Sequence, residues 1–218
     1  MTRDALVAAL ADLVAAPDVL RVAVDGPDAA GKTTLADELA ARLRGRRAVI
    51  RAGIDGFHQP RSVRQRRGSL SPEGCYHDTF DYAALRRAVL DPLSPGGDRR
   101  YRTAVFDHAA DRPVDRPACT APDGAVLVFD GVFLLRPELR HQWDVSIFVD
   151  VREDETLRRA LVRDAEAMGG PDAVRERYLR RYLPAQRLYR ADAHPEQVAD
   201  VVVRNDRPAA PVVLRWPC

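Results

Sequence analysis

The chain has 218 residues, 46% of them hydrophobic and 30% charged, with a formal net charge of +2. That is room for one substantial core, and a balance that gives no bulk attraction for nucleic acid or an anionic membrane surface. No run approaches the roughly 20 apolar residues of a membrane span, and Met1-Thr-Arg-Asp4 lacks the layout of a secretory signal, so a cytoplasmic protein is expected. Cys75, Cys119 and Cys218 are far apart and read as free thiols. All but one of the 34 Lys and Arg residues are arginine, and the exception is Lys32.

Residues 3–15 carry Leu6, Leu10, Leu13 and Val14 at helical spacing. Val19 to Val24 is a short apolar run ending on Asp25-Gly26, as expected of a buried parallel strand. Helical spacing returns over Lys32 to Arg44 through Leu35, Leu39 and Leu43. Arg47 to Ile54 reads as a second strand closing on Asp55-Gly-Phe-His58, with a helix near Asp81 to Leu90 and a hairpin around Phe106 and Val114. Ala125 to Phe129 and Trp143 to Val149 are further strands ending on Asp130 and Asp150. Helices are expected over about 153–167 and 172–190, and a last strand over Val198 to Val203. Five apolar strands alternating with helices predict an α/β fold, a three-layer, doubly wound parallel sheet of about five strands. Ligands then bind at the carboxyl ends of the strands, and the chain 1–218 forms one domain.

Gly26-Pro-Asp28-Ala29-Ala30-Gly31-Lys32-Thr33 matches G-x-x-x-x-G-K-[ST] between an apolar strand and an amphipathic helix, the setting a phosphate-binding loop requires. The glycines let successive backbone N–H groups face an anion, and the helix that follows adds the positive end of its dipole. Lys32 reaches the outer phosphates and the Thr33 hydroxyl serves Mg²⁺, with Thr34 next in the helix. Asp130, at the end of another strand, is the expected second metal residue. With no lysine beyond Lys32 an Asn-Lys-x-Asp guanine-reading motif is excluded, which argues against a GTPase switch and leaves a small-molecule kinase. Asp55 stands where the acceptor hydroxyl needs a base or orienting group, with His58 beside it.

The segments Gly26 to Thr34, Asp55 to His58, Tyr76-His-Asp-Thr-Phe-Asp81, Tyr101 to Asp107, Phe129 to Gly131, Phe148 to Asp150, Arg158 to Asp164 and Ala199 to Asn205 follow in an order that resembles the uridine kinase-like branch of P-loop kinases. That branch also includes phosphoribulokinase and pantothenate kinase. The resemblance implies the P-loop nucleoside triphosphate hydrolase fold, a small lid at about 153–175, and substrate-side insertions at about 56–80 and 95–122. It implies ATP and Mg²⁺ as cofactors, Asp55 as catalytic base, and Arg159 and Arg163 on the lid over the phosphates. It also implies Tyr76, Phe106 and Asp107 beside the acceptor. Two positions depart from it: Cys75 stands where uridine-type kinases carry an acid for the ribose, and His108 to Asp111 do not reproduce the histidine that reads the base. The expected activity is transfer of the γ-phosphoryl group of ATP to a hydroxyl of a nucleoside-like acceptor. A pantothenate-like acid, a sugar phosphate, or a catalytically silent ATP-binding regulator stand as alternatives. Partners other than the small molecule are not expected, and a homo-oligomer is left open.

Overall fold

The computed structural model describes residues 1–16 and 20–217; Val19 and Cys218 lie outside them. Five strands run parallel: β1 (Arg21–Asp25), β2 (Val49–Gly53), β3 (Val126–Gly131), β4 (Val145–Asp150) and β5 (Val201–Arg204). A sixth strand, β6 (Val212–Arg215), pairs antiparallel with β5 at one edge, giving the order β6-β5-β4-β1-β3-β2. The chain leaves β1 towards β2 on one side and later passes back over it from β3 to β4. The carboxyl end of β1 is therefore the topological switch point, where sheets of this kind bind ligands.

Because side chains alternate across a strand, each apolar strand can feed two cores. Val22, Val24, Val128 and Ile147 face α1 (Arg3–Val14) and α2 (Lys32–Leu43), whose Leu6, Leu10, Leu35, Leu39 and Leu43 are fully buried against them. Leu127, Phe129 and Phe148 face the other way, into a core with Tyr76, Phe133 and Tyr189. Each such side chain contributes about 1.5–3 kcal/mol by leaving water. Thr2 starts α1 by accepting a hydrogen bond from the Ala5 N–H at 3.2 Å.

The expected helix over 153–167 breaks at Asp164, giving α4 (Glu153–Arg163) and a separate turn at Ala165–Met168 that Gly169 closes in the left-handed region. The expected helix over 172–190 is α5 (Pro171–Arg177), a π-helical turn at Tyr178–Tyr182, and α6 (Leu183–Ala193). A second π turn, Arg86–Leu90, continues the short helix at Tyr82–Leu85. The hairpin pairs Phe106–Asp107 with Arg112–Pro113, and an outer ladder joins Arg100–Tyr101 to Cys119–Thr120. Helix α3 (Pro72–Asp78) lies in the loop after β2. Its start signal is Ser71, whose hydroxyl accepts from the Gly74 N–H at 3.0 Å, with Pro72 at the first helical position. Among the described residues no helix is long and apolar enough to cross a membrane.

Candidate nucleotide and acceptor site

The loop between β1 and α2 is built for close approach. Gly26 has φ +146°, and a Cβ there would lie 2.3 Å from the Val149 carbonyl oxygen on β4. Ala29 and Gly31 also have positive φ, which turns successive N–H groups inward, and no side chain caps the start of α2. Such a nest at a helix N-terminus suits a phosphate. Lys32 is buried in the same loop and its Nζ donates to the Pro27 carbonyl at 2.6 Å. Asp28 is half-buried in the cleft; burial pushes its carboxyl up, against the pull of Lys32 and Arg163.

Thr33 and Asp130 meet as the sequence reading requires. The Thr33 hydroxyl donates to Asp130 Oδ2 at 2.6 Å, across from the Arg51 guanidinium, which lies 2.7 Å from Oδ1. Gly53 makes room for the carboxylate, since a Cβ at that position would stand 2.9 Å from Asp130 Oδ1. A hydroxyl and a carboxylate are hard oxygen donors, and among the described residues no group of three His, Cys, Asp or Glu could hold a metal. Two protein oxygens completed by phosphate and water fit Mg²⁺, which keeps much of its hydration.

Two cavities open from this point. One, of about 720 Å³, is bounded by Arg3, Gly31, Thr34, Arg159 and Asn205; the other, of about 840 Å³, by Asp28, Asp55, His58, Arg64, Asp130 and Arg181 among others. Ala29, Lys32, Thr33 and Arg163 line both. Asp55 is exposed to the second cavity from the 3₁₀ turn Ile54–Phe57. His58 follows it, its Nδ1–H donating to the Asp55 carbonyl at 2.9 Å and its ring stacked on His108 at 4.6 Å. Burial holds His58 below the usual imidazole range, against the pull of Asp55.

Arg159 and Arg163 differ in their partners. Arg163 chelates Asp164 at 2.6 and 2.9 Å and sits on the shared wall. Burial works against the Asp164 carboxyl, but Arg163 and the Tyr178 hydroxyl hold it below the usual range. Arg159 pairs through Nε with Glu155 at 2.7 Å and also reaches the carbonyls of Ala29 at 3.4 Å, Asn205 at 2.7 Å and Asp206 at 3.1 Å, so it ties the loop after β5 to the phosphate loop. The structure does not bring Tyr76, Phe106 or Asp107 into the cavity lining. Tyr76 is buried against Phe133 and Tyr189, with its hydroxyl donating to Asp192 at 2.6 Å. Phe106 is buried in the hairpin, and Asp107 accepts from the N–H groups of Ala109 and Ala110 within its turn.

Three site features escape the sequence reading. Asp25, fully buried at the end of β1, accepts from the Tyr189 hydroxyl and from the Gly26 N–H at 2.8 Å, and burial pushes its carboxyl up. Arg51 braces Asp130 from within a strand. The Asp164–Tyr178 bond, 2.8 Å long, fixes Arg163. The Asp25-Gly26 pair at a strand end is the one local signal; the partners are remote in sequence.

Strand, glycine-rich loop, helix and an adjacent-strand carboxylate hydrogen-bonded to the loop threonine define a P-loop protein. The family model described as Phosphoribulokinase / Uridine kinase family matches residues 21–203, and the chain belongs to that family. A relative, uridine-cytidine kinase B of Dictyostelium discoideum, is 32% identical over 149 residues, which span 68% of this chain and 59% of that one. A uridine kinase of Chlamydia pneumoniae is 25% identical, over 85% of this chain and 81% of its own. Among solved structures, a possible uridine kinase from Bacillus stearothermophilus superposes with a TM-score of 0.69 at 22% identity, over 90% of this chain and 96% of that chain, a likeness of fold.

Proposed function

We propose that this chain is a cytoplasmic kinase that moves the γ-phosphoryl group of ATP, with Mg²⁺, to a hydroxyl of a small acceptor. The observation that carries the reading is the shared wall: Lys32, Thr33 and Arg163 line both cavities, so a phosphoryl group held there faces a donor on one side and an acceptor on the other. Loop amides and Lys32 hold the phosphates, while Arg163 follows charge onto the transferring oxygens. Thr33 and Asp130 would hold Mg²⁺, which neutralises phosphate charge. Asp55 orients the acceptor hydroxyl and accepts its proton as the new P–O bond forms and the bond to the β-phosphate breaks. The region around 153–175 acts as the lid, with 56–80 and 95–122 on the acceptor side.

Uridine is the acceptor that the relatives' names suggest. A non-nucleoside acid or sugar phosphate is the second reading, favoured by Cys75 in the acceptor cavity, where burial pushes the thiol up to about 12 and leaves no carboxylate for a ribose. The test is ADP production by the purified protein over a panel of nucleosides, hydroxy acids and sugar phosphates. Lys32→Ala and Asp55→Asn should abolish turnover without lowering Tm; full activity in either refutes the assignment.

A further inference from the structure

Arginines line part of the acceptor cavity. Arg64 and Arg181 both line it and are largely withdrawn from water, with 15% of the Arg64 side chain and 8% of Arg181 exposed. Arg64 shares a single carboxylate oxygen: Asp111 Oδ1 accepts from its Nη2 and from the Arg61 N–H, each at 2.9 Å. The buried Arg64 Nε has no hydrogen-bond partner. Arg181 hydrogen-bonds the Cys75 thiol. Its Nη1 donates to the Ser69 carbonyl at 2.8 Å and its guanidinium lies 6.0 Å from the Tyr182 ring, but among the described residues no carboxylate pairs with it. Cys75 beside it is held as a neutral thiol by burial and cannot serve as counter-charge.

A buried guanidinium without an anion is destabilising, and it persists where something else supplies one. The cavity's own carboxylates do not. Asp130 is engaged by Thr33 and Arg51, and Asp164 by Arg163 and Tyr178, which leaves Asp28 and Asp55 beside the phosphate loop. The π turn at Tyr178–Tyr182 sets the register that carries Arg181. Two planar donors lining the same cavity as Asp55 suit the fork geometry by which arginine reads carboxylate and phosphate.

We propose that Arg181 and Arg64 bind an anionic group of the acceptor, so that the acceptor is a small hydroxy compound bearing a carboxylate or a phosphate and not a neutral nucleoside. This rests on the kinase reading above. The hydroxyl end lies at Asp55 and the anionic end at the arginine wall.

The full chain, saturated with β,γ-imido ATP and Mg²⁺ to fill the phosphate loop, would be titrated with sulfate by thermal shift. ADP production would be followed with glycerate, glycerol 3-phosphate, glycerol and uridine. Arg64→Gln and Arg181→Gln should each weaken sulfate roughly tenfold or more. A charged member of the panel should be preferred over glycerol, glycerate pointing to carboxylate and glycerol 3-phosphate to phosphate. Its KM should rise in both variants with a smaller change in kcat. An unchanged sulfate response in the variants, or uridine turnover with unchanged KM in both, overturns the proposal. Sulfate binding that the variants abolish, without ADP production here or from any nucleoside, hydroxy acid or sugar phosphate of the wider panel above, would instead refute the kinase reading while the anion site stands. If Arg181→Gln does not fold, Arg64→Gln at the half-buried position gives the same reading.

Discussion

Replacing Gly26 by alanine tests the phosphate loop through its geometry and not through its charge. The added methyl would lie 2.3 Å from the Val149 carbonyl oxygen, about 1 Å inside ordinary contact, and a φ of +146° is strained for any L side chain. Val149 cannot recede, because β4 is held in register between β1 and β5. The loop must move instead. Backbone strain of about 1–3 kcal/mol and overpacking of similar size give a destabilisation of about 2–6 kcal/mol. For a chain of this length that corresponds to a fall in Tm of about 4–24 °C. A displacement near 1 Å at the γ-phosphate should cost roughly 100-fold in kcat/KM. Differential scanning fluorimetry and a coupled ADP assay read the two effects. Gly45→Ala is the control, since nothing lies within 4 Å of its Cβ position, and it should stay within about 0.5 kcal/mol of wild type. A Gly26→Ala protein with wild-type Tm and kcat/KM would refute the account of the loop.

Asp130→Asn keeps an acceptor for Thr33 but removes the charge that Arg51 braces, so half-maximal turnover should need roughly 10–100-fold more Mg²⁺; an unchanged metal requirement counts against Asp130. Burial lowers the pKa of His58 below 6.5, so the unfolded chain binds more protons just below that pH and stability should fall as acid is added through the lowered value. Urea unfolding between about pH 5 and 7 should show the slope in wild type and lose it in His58→Gln. Tyr189→Phe removes a buried donor to Asp25 and should destabilise by about 1–3 kcal/mol. Since burial already raises the Asp25 pKa above 3.8, stability from its protonated form is lost as pH rises through the raised value. Losing the tyrosine bond should extend that loss to higher pH; parallel stability curves for the two proteins would argue otherwise.

The glycine-rich loop of the candidate site was legible because its parts are contiguous: eight residues hold the glycines, the lysine and the threonine between a strand and a helix that announce themselves by periodicity. Asp130 was legible for a related reason, as a carboxylate at the end of the plainest apolar strand. Arg51 was not, because an arginine at a half-buried strand position looks like a surface residue until β2 is laid beside β3. The Asp25–Tyr189 bond spans 164 residues, and no local pattern reports it. Tyr76, carried over by resemblance, turned inward because α3 presents it to the aromatic core and leaves Cys75 to the cavity. The edge strand β6 and the break at Asp164 were missed because neither changes the apolar spacing around it.

Lys32 is buried in the loop where the phosphates are expected, and every other strongly basic side chain of the chain is a guanidinium. Amine-directed chemistry therefore has one side-chain target. An acyl-phosphate analogue of ATP would deliver its label to a single residue, and loss of that label would report occupancy of the loop by any competing nucleotide, with no lysine elsewhere to raise the background.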